Sequence, residues 1–283
     1  MGRIAYVNGR FVPHADAFVH IEDRGYQFSD GVYEVCPVRA GRLLDEDAHW
    51  GRLERSLKDL QIPYPVRRAV LKPIIAELLR RNRVIDGMVY LQVTRGVAPR
   101  DHAFPAKARP SVVMTAKAID YEKMEARAQR GVSVRTMPDL RWRRPDIKSI
   151  SLLPNVLAKQ AARSAGAYEA WLVDDQGFIT EGSSSNAWII DAAGQLITRP
   201  LGSAILAGTI RQAVTTLAAE LQLKVVERPF TVDEAKAAKE AFITAATNFV
   251  MPVVEIDGTP ISGGQPGPIA LRLRRAYQDR SLI

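Results

Sequence analysis

The sequence predicts a two-domain protein of mixed α and β character, and three observations carry that prediction. The chain has 283 residues, enough for two modest domains that each bury a core. Short apolar runs bounded by glycine-containing turns alternate with stretches of helical spacing, so neither element type dominates. Near residue 130 the pattern resets, after the polar stretch "YEKMEARAQR". The expected division is a small N-terminal α/β domain over 1–119, a linker with some helical content over 120–130 and a larger C-terminal domain over 131–283.

The opening "IAYVNGRFV" sets two apolar runs about Asn8-Gly9, a pair suited to the positive φ angles of a tight hairpin turn. "VYEVCPVRAGRLLD" repeats the device about Ala40-Gly41. In "DEDAHWGRLERSLKDL", Ala48, Trp50, Leu53, Leu57 and Leu60 recur at helical spacing, with Asp45 ahead of them as an N-cap. "VRRAVLKPIIAELLRRN" is a second helix that either kinks at Pro73 or begins late, because proline has no N–H to give. The strands "MVYLQVTRG" and "SVVMTAKAI" complete the first domain.

Beyond the linker, "GVSVRTM" reads as a strand and "LPNVLAKQAARSAG" as a helix closed by Gly166. "EAWLVD", "NAWIIDAAGQLITR", "KVVERPF", "EAFITAA" and "VMPVVEIDG" read as strands. Helices are expected at "TIRQAVTTLAAELQ", at "DEAKAAKE" and near "PIALRLRRAYQDR". No internal repeat or low-complexity segment interrupts the series.

With 47% hydrophobic and 25% charged residues, the composition is that of an ordinary globular protein rather than a disordered one. A net charge of +8 raises the question of nucleic acid. The arginines fall in helix-like groups such as "LLRRNR", and the aromatics are not interleaved as a base-stacking platform needs, so solvated helix faces are the expected reading. The opening residues hold no signal-peptide run and no apolar stretch is long enough to span a bilayer; a cytoplasmic protein without a membrane partner is expected. A single cysteine, Cys36, and four scattered histidines offer neither an internal disulfide nor metal-ligand spacing, so no metal is expected.

Three segments are too rich in polar residues and glycine to read as plain connections. "EDRGYQFSDGVYEV" brings Tyr33 to the entry of a strand. "TRGVAPRDHAFP" presents Arg100 and His102 two residues apart, on one face if extended, where an arginine fork suits a carboxylate. "GFITEGSSSNAW" ends a strand at Glu181 and follows it with Ser183, Ser184 and Ser185, whose N–H and hydroxyl groups can form an anion-binding nest. Farther on, Gly208, Thr209 and Ile210 open a helix, and a helix N-terminus favours phosphate. Neither GxGxxG nor GxxxxGK[ST] is present. "DIKSISLLPNVLAKQ" contains two lysines; Lys148, between isoleucine and serine, is either a stray solvated charge or an amine held for chemistry. Lysine, carboxylate, serine turn and phosphate-ready helix together suggest pyridoxal 5'-phosphate, which needs an amine to bond, an acid beside its ring nitrogen and N–H groups for its phosphate.

The same segments, with "RWRRPDIKSISLLPNVLAKQ" and "ILAGTIR", resemble the fold-type IV pyridoxal-phosphate enzymes, and most closely the D-amino-acid aminotransferases. The resemblance runs nearly end to end. It implies a small N-terminal α/β domain, a larger C-terminal domain with a β-barrel-like core that carries the cofactor lysine, and a homodimer with cofactor sites near the interface. It makes Lys148 the residue that bonds to the cofactor and shuttles protons, and Glu181 the partner of the pyridine nitrogen. Arg52 would contact the phosphate, with Ser183 to Ser185 and the backbone at Gly208, Thr209 and Ile210 around the cofactor. Tyr33, Arg100 and His102 would trap the substrate carboxylate, the arginine and histidine coming from the neighbouring subunit, and Lys159 would be a solvated helix lysine.

The implied reaction moves an amino group from a D-amino acid such as D-alanine to a 2-oxo acid such as 2-oxoglutarate by a ping-pong route. Branched-chain L-amino-acid aminotransferases, (R)-amine transaminases and aminodeoxychorismate lyases share the lysine and glutamate and are the alternatives within the fold; a basic nucleic-acid-binding protein is the remote one. Two departures fall at the phosphate: "GTIR" replaces the usual G-[IV]-T-R, and "TAATNF" has alanine where relatives often carry a hydroxyl. Arg141, Arg143 and Arg144 either bias the site toward acidic substrates or lie on solvated surface.

Overall fold

The computed structural model describes residues 2–281. It divides into two compact units, the first comprising the chain up to Asp120 together with Ile147–Ser151. This unit opens with the hairpin of β1 (Ile4–Val7) and β2 (Arg10–Pro13), turned by Asn8 and Gly9 at φ 45° and 94°. The short helix α1 (Arg24–Phe28) follows, capped by the Asp23 carboxylate, which accepts from the Gly25 N–H at 2.8 Å. Next come β3 (Gly31–Arg39) and β4 (Arg42–Leu43), joined through Ala40 and Gly41. Two helices, α2 (Glu46–Asp59) and α3 (Arg68–Asn82), precede β5 (Gly87–Thr94) and β6 (Ser111–Ala118).

The six strands form one sheet in the order β2-β1-β6-β5-β3-β4. Trp50, Leu53 and Leu57 of α2, with Leu71, Ile75 and Leu78 of α3, pack into one core with Val89, Leu91 and Met114 of the sheet. Asp45 stands where the N-cap was expected, but it is left-handed at φ 48° and its side chain makes no capping bond. Helix α3 starts two residues after Val66 and runs through Pro73, which lies beyond its first turn, so the i→i−4 bond that residue 73 would donate is given up there.

The second unit comprises Tyr121–Asp146 and the chain from Leu152 onward. Its elements are α4 (Tyr121–Ala128), β7 (Val132–Pro138), α5 (Leu153–Ser164), β8 (Glu169–Val173), β9 (Ile179–Gly182), β10 (Asn186–Ile190), β11 (Leu196–Thr198), α6 (Thr209–Glu220), β12 (Val225–Glu227), α7 (Val232–Lys236), β13 (Glu240–Ala245), β14 (Phe249–Ile256), β15 (Thr259–Pro260) and α8 (Pro268–Ser281). The nine strands pair in the order β12-β11-β10-β13-β14-β7-β8-β9, with β15 on β14. Although β9 ends that order and β10 lies well inside it, only Ser183, Ser184 and Ser185 join them. Three residues reach roughly 14 Å at most. The sheet must therefore curl back on itself, which gives a half-barrel whose strands β8 to β10 are buried along nearly their whole length.

Two expectations about organisation differ from the structure. The stretch over 120–130 is not a free linker: Tyr121–Ala128 form α4 of the second unit, where Met124 and Ala128 are buried and Glu125 pairs with Arg274 at 2.8 Å. Lys148 was placed with the larger domain, but Ile147–Ser151 cluster with the first unit, because this segment hydrogen-bonds to β3. Among the described residues no helix is long and apolar enough to cross a membrane.

Candidate active site

The first unit holds Lys148. Val32 of β3 and Ser149 form an antiparallel bridge, the Tyr33 N–H donates to the Lys148 carbonyl at 3.0 Å, and the Ile150 N–H donates to the Gly31 carbonyl at 3.1 Å. The Lys148 N–H in turn donates to Ser56 Oγ of α2 at 3.2 Å. Its main chain is thus fixed on two sides, and its Nζ lies 4.1 Å from the Tyr33 ring centroid. Among the described residues no carboxylate forms an ion pair with that amine. Tyr33 stacks on Tyr90 at 5.7 Å, and burial with the neighbouring Tyr33 pushes the Tyr90 hydroxyl up to about 12.

Arg52 is buried in the same unit, but its geometry differs from a plain phosphate ligand. Nε donates to Glu34 Oε1 at 2.8 Å and Nη2 to Oε2 at 2.7 Å, a bidentate pair that His49 joins through Nδ1 at 2.7 Å from Oε2. Burial alone would raise the Glu34 carboxyl; Arg52 and His49 outweigh it and hold the group down at about 2. The expected phosphate role therefore meets a guanidinium already engaged along one edge by a carboxylate. Glu34, Cys36 and His49 have potential ligand atoms within 4.8 Å of one another, but Arg52 sits on both Glu34 oxygens, and a fixed positive charge there opposes a metal cation.

Arg100 and His102 lie in the loop between β5 and β6 and gather on Phe28 of α1. The Arg100 guanidinium carbon is 4.6 Å from the Phe28 ring centroid and the His102 ring 5.4 Å from it. Tyr33 belongs to the Lys148 cluster, beside Tyr90.

The second unit holds Glu181, at the end of β9 and 4% exposed. Among the described residues its carboxylate is met only by donors: it is ion-paired with Arg141 Nη1, and it accepts from Asn186 Nδ2 at 2.9 Å and from the Leu206 N–H at 3.1 Å. Burial pushes the Glu181 carboxyl up to about 7 against the pull of Arg141 and the Leu206 amide. The Arg141 side chain is only 5% exposed and is also held by Asp139 at 2.7 Å, so it is neither solvated surface nor free for an acidic substrate. Arg143 and Arg144 are exposed, and Arg144 pairs with Asp146 at 2.9 Å.

The serine turn departs from the anion nest that was expected. The hydroxyls of Ser183, Ser184 and Ser185 all donate to Glu169, a fully buried carboxylate on β8, the last two at 2.7 and 3.3 Å. A buried carboxylate needs donors, and the three hydroxyls supply them together with the Ala170 N–H at 2.8 Å. Lys159 is likewise not a solvated helix lysine: its Nζ is 3.1 Å from Glu169 Oε1 and 4.9 Å from the Tyr168 ring centroid. Helix α6 does begin as expected at Thr209 after Gly208, and its first intrahelical bond runs from the Gln212 N–H to the Gly208 carbonyl at 3.0 Å. The amides of Thr209 and Ile210 thus fall at the positive end of the helix dipole. Position 208 needs glycine, since a Cβ there would collide with Asn186 Oδ1.

Arg141, Asn186, Glu34 and Glu169 lie outside the site residues expected from the sequence, Arg141 having been read only as surface or substrate bias. For Arg141 a local signal existed, the Asp139 two residues before it; the other three are recognisable only through partners brought in by the fold.

A model of the amino-transferase class IV family matches residues 31–256. A D-alanine aminotransferase of Bacillus licheniformis is 43% identical over 275 residues, covering 97% of this chain and 96% of the relative. One from Staphylococcus epidermidis is 38% identical over 277 residues, with 96% of each covered. Among solved structures, a T.th. branched-chain amino acid aminotransferase with pyridoxamine 5'-phosphate superposes with a TM-score of 0.90 at 26% identity, over 99% of this chain and 94% of that one.

Proposed function

The chain belongs to the class IV amino-transferase family, and from that premise we propose that it transfers the amino group of a D-amino acid such as D-alanine to a 2-oxo acid such as 2-oxoglutarate, using pyridoxal 5'-phosphate. The observation that carries the reading is the Lys148 amine, fixed by main-chain bonds to β3 and α2 and without a carboxylate partner among the described residues. An amine so placed is available to bond a carbonyl and to carry a proton.

Each unit by itself offers residue types that suit the cofactor. Lys148 would bond its aldehyde, the buried Glu181 would accept a hydrogen bond from its ring nitrogen, and the amides at the start of α6 would hold its phosphate. The hydroxyls of the serine turn support Glu169 instead. When bound, the cofactor supplies an electron-accepting ring that stabilises the charge left when the substrate α-proton departs. Lys148 would take that proton at its Nζ and, when the second 2-oxo acid is aminated, return one to the α-carbon of the new amino acid. Arg141, itself anchored by Asp139, holds the Glu181 carboxylate in place, and Tyr33 presents its ring face to the lysine.

Handedness follows from the wall that binds the substrate carboxylate, since that choice decides whether the α-hydrogen of a D or an L substrate faces Lys148. Arg100 and His102 supply a positively charged fork and a second donor, which supports D. The enzyme acts as a cytoplasmic homodimer in which this loop serves the neighbouring subunit. Arg100→Ala is expected to raise KM for D-alanine by a loss of about 1.5–3 kcal/mol, typical of a charged hydrogen bond, while cofactor absorbance is retained. An unchanged KM removes the carboxylate assignment.

A further inference from the structure

The loop over 95–110 bears Arg100 and His102 yet has no helix or strand of its own. A bare loop of that length would lose much of the advantage of a preset carboxylate fork, because each substrate would have to order it. Phe104 of the loop lies 3.6 Å from the Arg95 guanidinium and Val97 bridges to Asp23, but the carbonyls beside Arg100 and His102 are met by one other side chain. Arg24 of α1 is 2% exposed, and its guanidinium reaches three successive carbonyls of the loop: Nη1 donates to Asp101 O at 2.6 Å and to Ala103 O at 3.3 Å, and Nη2 faces His102 O at 3.4 Å. Its Nε donates to Asp30 Oδ2 at 2.8 Å.

Arg24 is itself fixed. Its main-chain N–H donates to the Gly96 carbonyl at 2.9 Å, and Asp23 caps the helix that carries it. Asp30, its ion-pair partner, is gripped from the other side by Arg95, whose Nε and Nη2 lie 2.7 and 3.0 Å from the carboxylate. Phe28, four residues on and so on the same helix face, receives Arg24 at 4.9 Å and Arg100 at 4.6 Å, with the His102 ring 5.4 Å away. The backbone of the Arg100–His102 segment and both of its functional side chains are thus referred to one short helix.

We propose that Arg24 is a positioning residue for substrate carboxylate binding: it touches no substrate, and it sets the affinity of the site by holding the carbonyls of Asp101, His102 and Ala103 so that Arg100 and His102 stand preset on Phe28. The proposal rests on the reading of Arg100 and His102 given above. A planar fork is needed, since lysine retains the charge against Asp30 but cannot reach three carbonyls in one plane.

The test measures KM and kcat for D-alanine, and the inhibition constant of propionate, which offers the carboxylate alone, in the holoenzyme and in Arg24→Met, Arg24→Lys, Arg100→Ala and the Arg24→Met/Arg100→Ala double variant. Arg24→Met is expected to raise both KM and the propionate constant roughly 10-fold, as loss of charge-assisted hydrogen bonds would, with kcat within about 2-fold. Arg24→Lys should lie between, and the double variant should be no worse than Arg100→Ala, because the two residues act as one unit. If Arg100→Ala raises KM and Arg24→Met does not, or if the two effects multiply, the positioning role is overturned and the carboxylate reading stands. If Arg100→Ala leaves both constants unchanged, the carboxylate reading falls and the proposal with it. Should Arg24→Met not fold, Arg24→Lys decides by the same readings: unchanged constants overturn the proposal.

Discussion

Lys148→Ala is expected to slow amino transfer from D-alanine by roughly 10²–10⁴-fold, the range for removal of a positioned acid–base group, while leaving the fold intact. The second half of that expectation comes from how the residue is held. The bonds from the Tyr33 N–H to the residue 148 carbonyl and from the residue 148 N–H to Ser56 Oγ are main-chain bonds at position 148, and alanine keeps both. What disappears is a half-buried side chain above Tyr33 that forms no ion pair among the described residues, so no buried carboxylate is orphaned by its loss. A melting temperature close to that of the unmodified chain, together with the lost turnover, would assign the effect to chemistry. Turnover within a factor of about ten would remove Lys148 from the role given to it.

Glu181→Gln carries the second large effect. Every described partner of the carboxylate is a donor: Arg141, Asn186 Nδ2 and the Leu206 N–H. The amide nitrogen of glutamine would face them without an acceptor, and the negative charge proposed to face the cofactor's ring nitrogen would be gone. A fall in kcat of about 10²–10³-fold is expected, comparable to removal of one preorganised electrostatic partner.

The same substitution has a signature in the cofactor-free chain. The Glu181 carboxyl is raised by burial from 4.5 to about 7, so the folded state binds its proton more tightly than the unfolded state does. Stability from this group is complete below pH 4.5 and is lost as pH rises to about 7, by on the order of 3 kcal/mol. Glu34, held down at about 2, acts with the opposite sign and at lower pH, losing its contribution as pH falls from 4.5 towards 2. Urea unfolding at pH 5 and pH 7.5 therefore separates them: the unmodified chain should lose stability across that interval and Glu181→Gln should not. Equal slopes in the two proteins would contradict the buried, raised carboxyl.

Much of this was legible in local sequence. Asn8-Gly9 and Ala40-Gly41 mark their turns because few residue pairs take two positive φ angles, and α2 announces itself by Trp50, Leu53 and Leu57 on one face. Lys148 stood out because a lysine among apolar residues needs a reason. What escaped the sequence were partnerships made across the fold. Glu169 and Ser183 to Ser185 are adjacent only because β8 and β9 pair, so an exposed-looking serine run proved to serve a buried carboxylate. Lys159 shows the same limit: helical spacing gave it a solvated face, and Glu169 gave it a partner. Arg52 was matched to a phosphate, whereas Glu34, eighteen residues earlier, takes one edge of its fork.

The most direct measurement of the central claim is the visible absorption spectrum of the purified protein with pyridoxal phosphate, before and after D-alanine, L-alanine or L-leucine. The geometry predicts a visible band from the cofactor bound at Lys148, bleached by D-alanine and left in place by both L-amino acids. Bleaching by the L-amino acids instead would contradict the choice of D and the role of Arg100 and His102, and no band at all would contradict the assignment of Lys148.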